Sequence, residues 1–262
     1  MQKYKNKERI NGISGSVITY KHDWISDSRG SVVICPGGGY EYLAPREAEP
    51  IANAFQNRGF FPMILEYDVS DPILSVTPMR QAAWAVREAR RINSGKPVFL
   101  CGFSAGGHLA ASVGVHWNDK TVFREFLPDK GHCPDGLILC YPVITAGEAA
   151  HVGSIRRLAG EGDASYYSLE NYVSEDTPPV FLWHTAADDE VPVENSLLFA
   201  EKLSKKKVPY QLIIYPHGVH GLSLATEEVE EPEEKRFKDA YVATWMDACI
   251  RWIEYEFLGR NV

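Results

Sequence analysis

The chain has no apolar run near the roughly 18 residues that a membrane helix needs. Its opening stretch, MQKYKNKERINGISG, is polar and lacks the apolar segment of a secretory signal, so a cytoplasmic protein is expected. Basic residues are not in surplus. The 27 Lys and Arg face 35 Asp and Glu, for a net charge of −8, and without a basic surface nucleic acid is not an expected partner. Cysteine is sparse: Cys35, Cys101, Cys133, Cys140 and Cys249 are odd in number and form no C-x-x-C pair. Reduced, buried thiols are expected rather than disulfides, and the lone His132-Cys133 pair is too small for a zinc site. There is no G-x-G-x-x-G, and Gly37–Gly39 is not followed by the Lys-Ser/Thr of a phosphate loop, so no nucleotide cofactor is expected. Internal repeats and long linkers are also missing.

What is present is an ordinary globular composition, 45% apolar and 24% charged. A chain of this length can form a single domain when strands and helices alternate, so residues 1–262 are read as one domain. They do alternate. Strands are expected at Ser16–Tyr20, Ser31–Cys35, Phe60–Tyr67, Val98–Cys101, Gly136–Tyr141, Val180–His184 and Tyr210–Tyr215. Helices are expected at Arg46–Gln56, Pro78–Ile92, Ala105–His116, Val193–Lys206 and Lys238–Phe257. Pro142–Pro178 is less regular, and the acidic run Glu227–Glu234 reads as a solvated loop. Continuous apolar strands separated by helices give a mostly parallel, doubly wound α/β sheet covered on both faces.

Between the strand ending at Cys101 and the helix starting at Ala105 lies Gly102-Phe103-Ser104-Ala105-Gly106. Glycines two residues to either side let the chain turn sharply and lift the Ser104 hydroxyl above the sheet edge, while the following N–H groups open a helix. The pattern arises by chance in roughly one chain of this length in ten, so its placement between strand and helix carries the weight. A serine nucleophile needs a base, and the base needs an orienting acid, which in this topology follow in the order Ser, Asp or Glu, His. The strand ending at His184 runs into Ala187-Asp188-Asp189-Glu190. Both aspartates are candidates, with Asp188 preferred because it stands three residues before Val191-Pro192. The last strand runs into Pro216-His217-Gly218-Val219-His220-Gly221, where His220 is the preferred base and His217 a loop residue. His108, His116, His132, His151 and His184 read as structural or surface residues. The expected oxyanion donors are the N–H of Ala105 and the glycine loop after the second strand, at Gly38 and Gly39.

With these residues in place, PGGGYEYLAPREAEPIA, GFSAGGHLAAS, PPVFLWHTAADDEVPVENS and PHGVHGLSLA resemble small α/β-hydrolase esterases related to bacterial carbohydrate acetyl esterases and acetyl xylan esterases. The resemblance covers about Val32 to Trp252. It implies an α/β-hydrolase fold with a minimal cap, the nucleophile at Ser104, the acid at Asp188, the base at His220, and oxyanion donors at Gly38, Gly39 and Ala105. Broader lipase-like relatives read His-Gly-Gly-Gly where this chain has Pro36-Gly37-Gly38-Gly39, which leaves open which glycine N–H groups face the substrate. The implied activity is hydrolysis of short-chain esters, acetyl foremost, on xylo-oligosaccharides or other sugars. It proceeds through an acyl-enzyme, with no metal or cofactor and no membrane partner. Tyr40, Tyr42, Tyr166, Tyr167 and Trp183 are available either to stack on sugar rings or to pack the core. The competing readings are a serine peptidase of the prolyl-oligopeptidase type, whose propeller domain has no counterpart here, and a non-catalytic binding protein on the same fold.

Overall fold

The computed structural model describes residues 27–126 and 129–259, together with the backbone of two strands at 3–10 and 13–20; the outermost residues of a domain drawn over 1–262 lie outside that set. Lys3–Ile10 (β1) and Ile13–Tyr20 (β2) form an antiparallel hairpin, and β2 runs antiparallel to Phe61–Glu66 (β4). The strand β1 was not expected. KYKNKERI offers no apolar alternation from which to read a strand, and only its pairing with β2 defines it.

The remaining strands are Ser31–Cys35 (β3), Val98–Phe103 (β5), Gly136–Cys140 (β6), Val180–Thr185 (β7) and Tyr210–Tyr215 (β8). With β4 they run parallel, and the sheet order is β1-β2-β4-β3-β5-β6-β7-β8. The helices are Glu49–Gln56 (α1), Thr77–Ile92 (α2), Ala105–His116 (α3), Val152–Ala159 (α4), Glu194–Lys205 (α5) and Thr244–Phe257 (α6). None among the described residues is long and apolar enough to cross a membrane.

Successive residues on a strand face opposite ways, and here both faces are buried. Along β3, Val33 and Cys35 join one core with α2, α3 and α5, while Val32 and Ile34 join the other with α1 and α6. This is why the strands carry apolar residues continuously instead of alternating. The order also fixes where a site can form. From β3 the chain goes to β4 on one side and then returns to β5 on the other. The carboxyl ends of β3 and β5 therefore open onto a crevice at the topological switch point.

Two local expectations are corrected. The last helix begins at Thr244, not Lys238. Asp239 accepts hydrogen bonds from the N–H groups of Tyr241 and Val242, and Lys238 N–H donates to Glu230, so this stretch is pinned as turns against the acidic run. The irregular span from Pro142 contains α4, whose N-cap is His151.

Helix α3 is buried along its whole length, His108 included. The His108 Nε2–H donates to the Tyr167 carbonyl at 2.9 Å, and Nδ1 accepts from the Tyr40 hydroxyl at 3.0 Å. Burial disfavours the charged ring and lowers its pKa from 6.5 to about 4. Below 6.5 the unfolded chain binds a proton that the folded chain refuses until pH reaches about 4. Stability should therefore decline as pH falls across that window, by roughly 3 kcal/mol from this one group. Urea midpoints measured from pH 7 to 4 check this. His108→Gln should flatten the slope whatever its effect on stability at pH 7.

Candidate active site

The turn at Ser104 is held in a strained backbone conformation. Its backbone sits at φ 52°, ψ −120°, outside the regions most residues occupy, at a cost of order 1–3 kcal/mol. The conformation is locked on both sides. Ser104 N–H donates to the Cys140 carbonyl at 3.0 Å, and its own carbonyl accepts from His108 N–H and Val143 N–H, both at 3.1 Å. The flanking glycines are required by packing. A Cβ on Gly102 would lie 2.0 Å from the Gly106 carbonyl oxygen, and one on Gly106 would lie 2.1 Å from that of Cys35.

Three loops at the same end of the sheet meet here. The Ser104 Oγ lies 2.8 Å from His220 Nε2, and His220 Nδ1 lies 2.7 Å from Asp188 Oδ2. All three residues are buried except for a sliver of surface. Asp188 accepts at Oδ1 from the N–H groups of Glu190 and Val191, at 3.1 and 2.9 Å. Burial alone would raise the Asp188 pKa. The hydrogen bonds from His184 and His220, the charge of His220 and the Val191 N–H outweigh burial and hold the carboxyl below the usual carboxylate range. Asp189 and His217, the competing candidates, are both exposed.

The glycine loop is held without the His of the lipase-like pattern. The Gly37 N–H donates to Glu47 Oε2 at 2.8 Å, and the Tyr67 hydroxyl donates to the Pro36 carbonyl at 2.6 Å. Gly37 is thereby occupied. The N–H groups of Gly38 and Gly39 have no acceptor among the described residues, and both glycines line the pocket that contains Ser104 and His220. Gly38 has φ +117°, and a Cβ there would meet the Tyr42 carbonyl oxygen at 2.3 Å, so only glycine closes this turn. Ala105, fully buried, opens α3 directly after Ser104.

Several residues around the site were not legible as such. Glu47, fully buried, also accepts from the Tyr141 hydroxyl at 2.8 Å. The Tyr141 ring packs edge-on against His220 at 5.1 Å, so one carboxylate braces the glycine loop and the histidine together. His184, which reads from the sequence as a structural or surface residue, is fully buried and stands 3.3 Å from Asp188 Oδ2, with its Nε2–H also donating to the Val191 carbonyl at 2.9 Å. The acidic run is not simply solvated. Glu231 pairs with Arg46 at 3.1 Å and Arg236 at 2.7 Å, and these arginines donate to the carbonyls of Gly221 and His220, each at 2.9 Å.

The pocket measures about 280 Å³ and is also lined by Glu41, Tyr42, His151 and Glu190. Of the aromatics available for sugar stacking, Tyr40, Tyr167 and Trp183 are core residues and Tyr166 stacks on His116. Tyr42 alone among them, half exposed, lines the pocket. Among the described residues no group of three or more His, Cys, Asp or Glu side chains is placed to hold a metal ion. A buried hydroxyl–imidazole–carboxylate line beside free N–H donors can perform acyl transfer.

Known proteins agree with this architecture. Endo-1,4-beta-xylanase B of Butyrivibrio fibrisolvens is 38% identical over 236 residues, 85% of this chain and 37% of that protein. An acetylxylan esterase of Xylanibacter ruminicola is 30% identical over 210 residues, 75% of this chain and 42% of that protein. The chain thus spans about two fifths of the length of these curated relatives. A crystal structure of an acetyl ester-xyloside bifunctional hydrolase from Caldicellulosiruptor lactoaceticus shares 38% identity at a TM-score of 0.78, covering 93% of this chain and 89% of that one. A model of the prolyl oligopeptidase family matches residues 79–249, a span that contains Ser104, Asp188 and His220. The fold, the order of these residues and the family match lead to one assignment: this chain belongs to the prolyl oligopeptidase family, on an α/β-hydrolase fold.

Proposed function

We propose that the protein is a serine carboxylesterase that removes small acyl groups, acetyl foremost, from hydroxyls of xylo-oligosaccharides or related sugars. The observation that carries this reading is the unbroken line from Ser104 Oγ through the His220 ring to Asp188, at 2.8 and 2.7 Å. The sugar-ester part rests on the relatives, an acetylxylan esterase and an acetyl ester-xyloside hydrolase.

In this mechanism Ser104 Oγ attacks the ester carbonyl carbon as His220 Nε2 takes its proton. Asp188 keeps the Nδ1–H tautomer and stabilises the imidazolium. The N–H groups of Gly38, Gly39 and Ala105 receive the oxyanion. The imidazolium protonates the departing sugar oxygen as the C–O bond breaks, leaving an acyl-serine. Water, deprotonated by His220, then attacks that carbonyl and frees the acid and the serine. Glu47 acts as a positioning residue, because it sets the height of the glycine loop through the Gly37 N–H.

The pocket, at about 280 Å³, lies just below the range of drug-sized ligand sites, roughly 300–1,000 Å³, which suits an acetyl group and part of one sugar ring. We read residues 1–262 as one catalytic domain and place the reaction in the cytoplasm on oligosaccharides rather than polymer. The five free thiols support a reducing compartment. The family name keeps peptidase activity as a second reading. Comparing acetylated xylo-oligosaccharides with aminoacyl p-nitroanilides separates the two, and faster cleavage of the anilides would favour the peptidase.

Ser104→Ala should fold normally and lose about 10³-fold or more in kcat for p-nitrophenyl acetate; native turnover would remove the nucleophile assignment. Asp188→Asn should lose on the order of 10³–10⁴ in kcat, while Asp189→Asn stays near the native level. The reverse pattern would move the acid to Asp189. Glu47→Gln should remain folded by circular dichroism and lose roughly ten- to hundredfold in kcat with little change in KM, less than the loss of a whole oxyanion donor.

A further inference from the structure

His151 was read from the sequence as a structural or surface residue, yet it lines the pocket with Ser104, Gly39 and His220. Its place is set by the fold. It caps α4, where Nδ1 accepts the Ser154 N–H at 3.2 Å and lies 2.8 Å from the Ser154 hydroxyl. Helix α4 is fastened to the oxyanion loop through Arg157, which donates to the Tyr40 carbonyl at 3.1 Å and to the carbonyls of Val69 and Pro72 at 2.6 and 2.9 Å. The ring edge faces the loop directly: His151 Cε1 stands 3.9 Å from where a Cβ on Gly39 would be.

The cap decides the tautomer. A ring nitrogen that accepts a backbone N–H carries no proton, so the neutral imidazole holds its hydrogen on Nε2. Burial also pushes the His151 pKa down, against the pull of the nearby Glu190, and favours the neutral ring. The Nε2–H has no acceptor among the described residues. The carboxylates of Glu41 and Glu190, which also line the pocket, have no cationic partner among the described residues. Arg46 and Arg236 are engaged with Glu231 and the His220 loop. Besides the Tyr42 hydroxyl, which can donate or accept, the open side chains at the mouth are thus one fixed neutral donor and two acceptors. A polyol matches that set, because each hydroxyl both donates and accepts, whereas an anion would meet two uncompensated carboxylates.

We propose that His151 is a substrate-positioning residue that reads the alcohol half of the ester: its Nε2–H donates to a sugar oxygen neighbouring the acylated one, while Glu41 and Glu190 accept from flanking hydroxyls. This rests on the esterase reading above and adds the group that distinguishes a sugar ester from a plain alkyl ester. The ring takes no proton during the reaction, and its contribution is orientation.

The test compares His151→Ser with the native enzyme on monoacetylated methyl β-xyloside and on cyclohexyl acetate, which has a similar ring but no free hydroxyl. Serine is a favoured N-cap and preserves the Ser154 bond, so a general loss of α4 stability is not the expected result. The ratio of kcat/KM for the xyloside over that for cyclohexyl acetate should fall roughly three- to tenfold, the effect of one neutral hydrogen bond. An unchanged ratio overturns the proposal. A second readout does not depend on turnover. In Ser104→Ala protein labelled with ¹⁵N-histidine, the His151 Nε2 signal should show the Nε2–H tautomer and shift on saturation with the acetylated xyloside. A protonated Nδ1, or no shift at saturation, overturns it equally. If the native enzyme hydrolyses neither ester, the esterase reading itself fails, and that result is distinct from an unchanged ratio.

Discussion

The backbone reversal at Ser104 is the constraint on which the other features depend. A φ of 52° in a non-glycine residue is held because its N–H and carbonyl are both committed to neighbouring strands and loops. The reversal turns the hydroxyl away from the core toward His220, and it sets Ala105 at the start of a fully buried helix. The glycines at 102 and 106 follow from this conformation, because any side chain there would run into backbone oxygens. Strain at one residue is thereby over-determined by the packing of many.

Two buried carboxylates organise the rest. Asp188 and Glu47 sit beneath the site, and each has its lone pairs filled by donors from separate parts of the chain. Asp188 gathers His184, His220 and two backbone N–H groups, and Glu47 gathers Gly37 and Tyr141. An unfilled buried carboxylate would cost several kcal/mol. Filled, each fixes the direction of the groups it binds: the imidazole in one case and the glycine loop in the other. The ion pairs of Glu231 with Arg46 and Arg236 add a third anchor, on the carbonyl side of the histidine loop.

The parts of the site that could be read from the sequence were those with a local signature. Ser104 announced itself through glycine spacing between strand and helix, and Asp188 and His220 through their positions in loops after apolar strands. The parallel sheet was legible because strands buried on both faces are apolar throughout. Glu47, by contrast, sits in Pro45-Arg46-Glu47, a polar segment that reads as the start of a surface helix, and its partner Tyr141 is 94 residues away. His151 gave no signal because its place in the pocket comes from α4 being tied to the glycine loop by Arg157. In the acidic run, composition suggested solvation, and nothing local marks Glu231 out from its neighbours as the one that meets two arginines. The resemblance to carbohydrate acetyl esterases helped where residues alone left two choices, as between Asp188 and Asp189.

The central claim is that the Ser104 hydroxyl, activated by His220, is the single reactive nucleophile of the protein. Treating the folded enzyme with a fluorophosphonate ester, digesting it and locating the adduct by mass spectrometry tests this directly. The account predicts one phosphonyl group per chain, carried on the peptide containing Ser104, absent when the protein is denatured before treatment and coincident with complete loss of esterase activity. Labelling at another residue, or full activity in protein quantitatively modified at Ser104, would contradict it.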